Sequence, residues 1–408
     1  MFVCLIKSIF SIIRDFNEMN GGIMENSEFR SQLFTDVLAG KMPTRVPESC
    51  GVNACAALEL AGYDLRCAQY GYTKVLEAAE KINAKYDTDT LIGTWPAMPY
   101  VTKAIGSRTN VMGADGFMQH PNVHIMEPTE YNQLIADPLK YMWHEQMPRA
   151  FTEFSQPWPL NAFALLKAFL MEKELGMKMF MANYEMSLKY NKSTTPVLTA
   201  ISRAPFDYLA DYFRSFTGAL TDIRRYPEKV LEAVDVLKPL MVRGALASTA
   251  GNVPTRENNR VFFALHMATY MRPKDFQKFW WPTFKATIWD VYTAGFGILI
   301  FAEENWMQLL DFFDELPPLC HIMFEYGDPK IIKEKVGKKH IIQGMYPVDL
   351  LKRGTKEEVT AKAKELLDVM APGGQYIFDF DKSILRAKQV DWDNFGYLVD
   401  CVKEYGKY

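Results

Sequence analysis

The sequence predicts an α/β fold, and within that class a (β/α)8 TIM barrel. From Thr44 onward, short apolar runs alternate about eight times with segments of helical periodicity, which favours parallel pairing of the strands. No GxGxxG motif follows the first run, which disfavours an open doubly wound sheet. The eight predicted strands are Val46–Val52, Thr90–Trp95, Val197–Arg203, Val261–Met267, Gly297–Glu303, Cys320–Glu325, His340–Tyr346 and Gln375–Phe380.

Helical segments lie between these runs, and several of their ends carry recognisable signals. Pro227, Pro273 and Pro329 each stand where a helix is expected to begin, in the first turn, where proline is tolerated. Thr355 and Glu358 have the spacing of a capping box. The predicted helices are Thr73–Tyr86, Asn161–Lys189, Pro227–Ala250, Pro273–Ala294, Trp306–Leu316, Pro329–Val336 and Lys356–Met370.

Two regions do not fit a plain βα repeat. Residues 96–195 are too long for a connection without structure of its own, so we interpret them as an insertion between strands two and three that caps the C-terminal mouth. Residues 1–23 begin with an apolar run that is too short to span a bilayer and lacks signal-peptide features. We interpret 1–23 as a dispensable extension, with a weak membrane-surface anchor as the alternative, and 24–408 as one barrel domain.

Composition narrows the function classes. The 408 residues carry a formal net charge of −3 and no basic stripe, so nucleic-acid binding is not expected. The six cysteines form no CxxC pair and lack the dense spacing of a secreted scaffold. Reduced thiols and a cytoplasmic location are therefore expected.

Polar residues fall at the ends of the predicted strands, where barrel enzymes place their active sites. Most are carboxylates, and crowded like charges raise one another's pKa unless a cation or a proton relieves them. We therefore expect one or two members of the group to be functional. The residues are Asn53, Asp207, His266, Glu303, Glu304, Glu325, Asp328, Gln343, Asp379 and Asp381.

Two interpretations of this group stay open. In the first, His266, Glu303, Glu304 and Asp379 are catalytic as proton carriers, or His266, Glu303, Asp379 and Asp381 bind zinc or another divalent metal. In the second, each carboxylate only pairs with a basic neighbour or with solvent, and His266 is a core histidine. Because successive strand residues alternate faces, at most one of Glu303 and Glu304 is expected to point inward while the strand stays regular.

Some further residues are weaker candidates. Asn53, Asp207, Gln343, Tyr346 and Tyr376 are predicted to contact the substrate, and Trp306 to line the pocket, although aromatic residues near a barrel mouth are frequently only packing. The other histidines that we considered are His321, interpreted as structural, and His120 and His124, whose HxxxH spacing is interrupted by Pro121.

Several motifs resemble the uroporphyrinogen decarboxylase superfamily, which includes corrinoid-dependent methyltransferases. The stretch His340–Pro347 (HIIQGMYP) resembles the superfamily's QGNxDP segment, and Gly373–Phe378 resembles its final barrel strand. Ala204–Phe206 and Arg224–Glu228 resemble its GPF and Pro-Glu segments. Glu404–Gly406 resembles the end of one subgroup, and the whole resemblance covers roughly Phe29–Tyr408. It implies a barrel with its active site at the C-terminal mouth.

Departures from the superfamily's motifs restrict the activity. Uroporphyrinogen decarboxylase grips substrate carboxylates with an arginine-rich segment after the first strand, but Pro47–Ala54 contains no arginine. The family's GHG after the last strand is replaced by Asp379–Asp381. The corrinoid methyltransferases bind zinc through HxC at the fifth strand, whereas Ile300–Asn305 contains neither residue type. Uroporphyrinogen decarboxylation and a thiolate-rich zinc site are therefore not expected.

The resemblance leaves three functions to weigh. The first is a corrinoid-linked methyltransferase whose methyl partner is a folate, an amine or an ether. The second is a decarboxylase or lyase acting on a tetrapyrrole or a smaller acid, and the third is a barrel that binds without catalysing. The expected partners are a small-molecule substrate and, as alternatives to weigh, a corrinoid protein and a second copy of the chain.

Overall fold

The main sheet has six parallel strands, in the order of the chain. The computed structural model describes residues 26–94, 99–121, 123, 125–249 and 251–408, so the predicted extension 1–23 and His124 lie outside the described residues. A two-stranded antiparallel hairpin, β1 (Val111–Met112) and β2 (Met118–Gln119), stands apart from this sheet. The sheet consists of β3 (Val197–Arg203), β4 (Asn259–Leu265), β5 (Gly297–Asn305), β6 (His321–Tyr326), β7 (Ile341–Tyr346) and β8 (Tyr376–Phe380). Strands three to eight of the prediction are thus observed.

Helices separate the strands along the chain. The prolines at 227, 273 and 329 all stand in first turns, and the capping box of Thr355 and Glu358 forms. Predicted helix Trp306–Leu316 is wrong: only a 3-10 turn, Leu310–Glu315, forms there, because the chain first bends at Asn305, whose side chain accepts from the N–H of Met307. The helices of eight or more residues are Ser27–Leu38, Tyr72–Lys85, Leu160–Lys189, Phe216–Arg225, Pro227–Ser248, Trp281–Thr293, Lys356–Met370 and Trp392–Tyr405. The shorter ones are Ala54–Leu60, Leu65–Ala68, Pro99–Ala104, Tyr131–Ala136, Pro138–Tyr141, Met147–Ala150, Pro205–Leu209, Pro273–Asp275, Pro329–Lys335 and Leu350–Arg353.

The two remaining predicted strands, Val46–Val52 and Thr90–Trp95, form only isolated bridges in their described parts. Glu48 pairs in parallel with Phe378 of β8, and Thr90 pairs with Ser193. The physical reason lies in the side chains: the Glu48 N–H donates to the Asp89 carboxylate, and the Asp89 N–H donates to the Glu48 carboxylate. These bonds take the place of part of the ladder between the two segments, while backbone bonds of Ser49 and Pro47 to Phe378 still join the first segment to β8. The eight-stranded barrel and its insertion remain predictions.

The two faces of the sheet differ in their cover. Phe263 of β4 packs edge-on against Phe284 of helix Trp281–Thr293, and Tyr346 of β7 donates to the Val359 carbonyl of helix Lys356–Met370. This face is therefore covered by helices, and the other is called here the inner face. Phe34, Val37 and Leu38 of helix Ser27–Leu38 form a small core with Ile341 and Ile377, which closes the amino end of the inner face.

The segment from 99 to 193 packs beside the start of the helices that follow β3. The Met126 carbonyl accepts from Arg214, and the Tyr131 hydroxyl donates to Asp222, which also pairs with Arg214 at 2.5 Å. Its longest element is the helix Leu160–Lys189. Among the described helices, none is both long and apolar enough to cross a membrane.

Candidate active site

Three charged side chains meet at the carboxyl ends of β4 and β5. His266, just after β4, places its Nδ1 3.0 Å from Asp211 Oδ2 and its Nε2 3.5 Å from Glu303 Oε1. The exposed fractions of these side chains are 34% for His266, 27% for Asp211 and 31% for Glu303. The group is called the His266 site, and a ligand can reach it from solvent.

Asp207 fixes the point at which His266 leaves its strand. Its buried carboxylate accepts from the backbone N–H of His266 at 2.8 Å and of Met267 at 3.3 Å, and from Trp280 Nε1 at 2.6 Å. Burial raises the pKa of Asp207 to about 7, although these donors oppose the shift. Predicted to contact the substrate, Asp207 instead uses its carboxylate as an anchor for the backbone.

Asp211 is the member of the site that sequence reasoning missed. It lies in a π-helical turn, Ala210–Arg214, that continues the short helix Pro205–Leu209. Residues four apart share one side of a helix, so Asp207 and Asp211 both face the end of β4. That spacing of two aspartates, directly after a predicted strand, was the signal that could have found it.

Hydrogen bonding keeps His266 charged. The carboxylates of Asp211 and then Glu303 raise the pKa of His266 to about 10, against an opposing effect of its partial burial. The imidazole is therefore protonated at neutral pH, and both ring nitrogens carry a proton. Nδ1 is held by Asp211 at hydrogen-bond distance, whereas the 3.5 Å separation at Nε2 is too long for a well-formed bond. Nε2 is thus the nitrogen best placed to donate to a substrate atom.

Of the two adjacent glutamates, only Glu303 faces His266. Glu304 has an exposed side chain and a backbone φ of 63°, in the left-handed region that non-glycine residues rarely adopt. Its N–H donates to the Glu325 carboxylate at 2.9 Å. The prediction that one of the pair points inward therefore corresponds to Glu303, and Glu304 forms the bend that ends the regular strand.

Asp379 and Gln343 form a separate, buried pair on β8 and β7. Gln343 Nε2 donates to Asp379 Oδ2 at 2.6 Å, and Asp379 Oδ1 accepts from the N–H groups of Gly51 and Phe380, both at 2.8 Å. Burial raises the pKa of Asp379. With these three donors, Asp379 ties the segment before Val52 to the sheet, and the structure does not bring it into contact with His266.

The other predicted carboxylates and Asn53 bond to nearby backbone. Asn53 Oδ1 accepts from the N–H of Cys55, and Asp328 Oδ1 caps helix Pro329–Lys335. Asp381 Oδ1 accepts from the N–H groups of Val348 and Lys382. These partners are backbone N–H groups rather than the basic side chains or solvent of the second interpretation.

The predicted pocket aromatics are buried. Tyr376 donates to the Gly344 carbonyl and Tyr346 to the Val359 carbonyl, and Trp306 donates to the Glu303 carbonyl. All three are fully buried, so they pack in the core rather than line an open site. Trp306 nevertheless supports the strand end that carries the Glu303 side chain.

Apolar side chains lie below the His266 site on the inner face. Ile201 pairs with Phe262 across β3 and β4, and Phe301 pairs with Met323 across β5 and β6, so each pair projects from one face of the sheet. Ile201 is 65% exposed, and the other three are half-buried. The accessible inner face of the sheet is therefore apolar beneath the His266 site and charged at its edge, a combination that many small-molecule sites share.

The predicted metal site does not assemble among the described residues. No group of three His, Cys, Asp or Glu side chains in that part of the chain is arranged to hold an ion. The two nitrogens of His266 face different carboxylates, and the oxygens of Asp379 are taken by backbone and amide donors. These residues do not fit a resident zinc or other divalent ion.

Comparison of the sequence with known protein families identifies the family of this chain. Residues 173–405, more than half of the chain, match the family described as Uroporphyrinogen decarboxylase (URO-D). The chain belongs to the URO-D family. The match includes all six strands of the sheet and all three residues of the His266 site.

One solved structure extends the likeness in fold over nearly the whole chain. A methyltransferase from Methanosarcina mazei superposes with a TM-score of 0.58 at 14% sequence identity, covering 92% of this URO-D family chain and 98% of the methyltransferase. At that identity the likeness concerns the fold. None of the curated proteins shows a significant match in sequence.

Proposed function

We propose that the chain is a methyltransferase that acts at the carboxyl end of a closed (β/α)8 barrel and exchanges a methyl group with a corrinoid. The His266 site carries this proposal, because it combines a protonated imidazole, a carboxylate that orients it and access to an apolar interior. The fold shared with a methyltransferase over nearly the whole of both chains adds support.

In this reaction His266 would act as the general acid. When the bond between a methyl carbon and its oxygen or nitrogen breaks, the heteroatom keeps the electron pair and needs a proton. His266 Nε2 can supply that proton, while Asp211 holds Nδ1 and keeps the ring oriented. Glu303, 3.5 Å from Nε2, stabilises the imidazolium before transfer. A corrinoid, as co-substrate, would supply the nucleophile that takes the methyl group.

The charge of the site favours a neutral or cationic methyl donor. Asp211 and Glu303 flank one imidazolium, and no arginine stands in Pro47–Ala54 to pair with substrate carboxylates. A polyanionic donor would leave its charges unpaired. Among a folate, an amine and an ether, the amine and the ether suit this rim better.

A decarboxylase of a small acid is the second candidate, on the same observation. Loss of carbon dioxide leaves a carbanion that must be protonated, and the His266 imidazolium is equally able to donate that proton. The carboxylate-rich rim favours an acid with a single carboxylate over a tetrapyrrole octa-acid.

The test offers the purified chain each class of substrate in parallel. Reduced cobalamin is mixed with methylamines, aryl methyl ethers or methyltetrahydrofolate, and its methylation is followed by absorbance, while a separate sample receives uroporphyrinogen. Methylation that His266→Gln abolishes and His120→Gln leaves intact supports the proposal, since His120 is exposed in the segment around 110–120. Coproporphyrinogen formation at an enzymatic rate would replace it with the decarboxylase. Ligand binding without turnover would indicate a binding protein.

A further inference from the structure

The helix Leu160–Lys189 carries an apolar surface that no described residue covers. It has 30 residues, which makes it about 45 Å long at 1.5 Å per residue. Its buried residues, Leu175, Met179, Asn183, Met186 and Ser187, all lie in the C-terminal half and pack against the body. Ten large apolar side chains of this helix are at least 36% exposed: Leu160, Phe163, Leu165, Leu166, Phe169, Leu170, Met177, Phe180, Met181 and Leu188.

Five of these side chains form a regular stripe. Phe163, Leu166, Leu170, Met177 and Phe180 follow the alternating spacing of three and four residues that marks the seam of a coiled coil. Their exposed fractions run from 51% to 64%. Residue 173, the one position of the repeat without an apolar side chain, is a lysine, whose aliphatic stem can still cover apolar surface. The group is called the 163–180 stripe.

The spacing of the stripe is the same in both directions, and its residues match in kind except that Leu170 corresponds to Lys173. Positions 163 and 180 are equally far from its midpoint between 171 and 172, and so are 166 and 177, and 170 and 173. In an antiparallel pair of such helices, Phe163 of one copy would lie opposite Phe180 of the other, and Leu166 opposite Met177. Two-fold symmetry repeats both contacts in the other half of the pair. We propose that the 163–180 stripe is a self-association surface, on which a second copy of the chain packs its own stripe antiparallel.

The size of the surface fits this occupant. The five side chains of the stripe could each lose on the order of 80 to 100 Å² of accessible surface, about half of the roughly 800 Å² per partner of a stable interface, and the five other exposed apolar side chains of the helix can add to this area. Apolar patches of that size are rare on monomers.

The charges on the helix argue against a lipid surface. Between residues 160 and 181 it carries Lys167, Lys173 and Lys178 together with Glu172 and Glu174, so both signs are present. Glu174 and Lys178 pair at 2.5 Å along the helix. A helix lying on an anionic membrane would instead present a face rich in lysine and arginine.

Sedimentation equilibrium of the full chain tests the pairing. Wild type should be a dimer at micromolar concentration. Leu166→Glu or Met177→Lys alone should weaken the dimer by on the order of 100-fold, since each places an unpaired charge at an apolar position of the stripe. Leu166→Glu combined with Met177→Lys in one chain should restore most of the affinity, because 166 faces 177 of the other copy in both halves of the pair.

Controls separate this arrangement from others. Leu139→Glu, at a leucine 58% exposed on the short helix Pro138–Tyr141, should leave the dimer unchanged. Circular dichroism should show that every variant keeps its fold, because all these positions are exposed. A monomeric wild type overturns the proposal, whether or not it binds vesicles of anionic lipid. A dimer that the double substitution weakens further also overturns it, because a parallel or unrelated interface would then be responsible.

Discussion

Two groups of charged residues in this protein use similar side chains in opposite surroundings. Around Asp89, Arg45 donates to both carboxylate oxygens at 2.7 and 2.6 Å, and the Glu48 N–H adds a third bond; all three residues are buried. Burial there raises the pKa of Glu48 to about 8 and lowers the pKa of the neighbouring Lys192 to about 7. At the His266 site, hydrogen bonds outweigh burial and raise the pKa of the histidine instead.

The difference shows how a structural cluster can be told from a candidate site. Asp89 is closed to a ligand: its buried carboxylate is bonded on both oxygens, and the ammonium of the neighbouring Lys192 donates to Asn83, Tyr86 and Thr88. The His266 site is open, with a ring nitrogen at a loose 3.5 Å and about a third of each side chain exposed. Polar groups that are fully partnered stabilise the fold, whereas a charged donor with an incomplete contact can take a ligand.

The largest effect is expected from Asp89→Asn. It leaves the Arg45 charge buried without its carboxylate, and breaking such a pair costs about 3–5 kcal/mol of unfolding free energy. The measurement is urea denaturation. Asp87→Asn is the matched control, because Asp87 pairs with Arg30 and Lys403 with its own side chain 66% exposed, and exposed pairs contribute about 0–1 kcal/mol. Equal losses for the two variants would remove the distinction between buried and exposed pairs.

His266→Gln should affect activity more than stability, whereas Asp89→Asn should affect stability. Loss of the proton donor is expected to lower kcat/KM for methyl transfer by about 100- to 10,000-fold. The fold should persist, because the Asp207 anchor contacts the His266 backbone and not its ring, while loss of the stabilising imidazolium lowers the melting temperature. Activity and thermal melting are measured on the same preparations. A variant that unfolds, or one with unchanged kcat/KM, would place His266 among the structural residues.

Asp211→Asn should change the pH at which His266 loses its proton. With the first of its two carboxylates removed, the pKa of His266 should fall from about 10 toward the ordinary 6.5. Since the folded-state pKa is raised, the contribution of this charge to stability is complete below pH 6.5 and is lost as pH rises through about 10. In the variant the loss should occur at lower pH. An NMR titration of the imidazole measures the shift, and Glu304→Gln, which faces away from His266, should leave it in place.

Sequence patterns predicted the part of the fold that depends on apolar periodicity. The short apolar run Val197–Arg203 predicted a strand with the observed bounds, and the helical periodicity of Lys356–Met370 predicted a helix with the observed bounds. Val46–Val52 was predicted as a strand in the same way, but the Arg45 side chain and the Glu48 N–H donate to the Asp89 carboxylate, and only an isolated backbone bridge to Phe378 forms. This bonding depends on a residue more than 40 positions away, which no local pattern contains.

The candidate site was predicted in part for a related reason. His266 and Glu303 lie at strand ends, where position alone brings them near each other. Asp379 has the same kind of position, yet the Gly51 N–H and the Gln343 amide take its oxygens. Strand-end position therefore identifies which residues can meet, while competing hydrogen-bond donors decide which of them do.

The smallest effect is expected at Glu304, where strain rather than charge is at stake. Its φ of 63° costs about 1–2 kcal/mol for a residue with a Cβ, and glycine would remove that cost. Glycine also gains freedom in the unfolded chain, which offsets about 0.5–1 kcal/mol. Glu304→Gly should therefore raise the unfolding free energy by up to about 1 kcal/mol.

Urea denaturation measures this change, with Ala302→Gly as the matched control. Ala302 lies two residues earlier in the regular, buried part of β5, where glycine should destabilise by about 1 kcal/mol. Because the Glu304 N–H to Glu325 contact is made by the backbone, it persists in the glycine variant and keeps the Glu303 side chain directed at His266. Methyl transfer that is unchanged in Glu304→Gly and greatly reduced in Glu303→Gln would show that Glu303 contributes chemistry and that Glu304 only forms the bend. Equal losses in both would place Glu304 in the site as well.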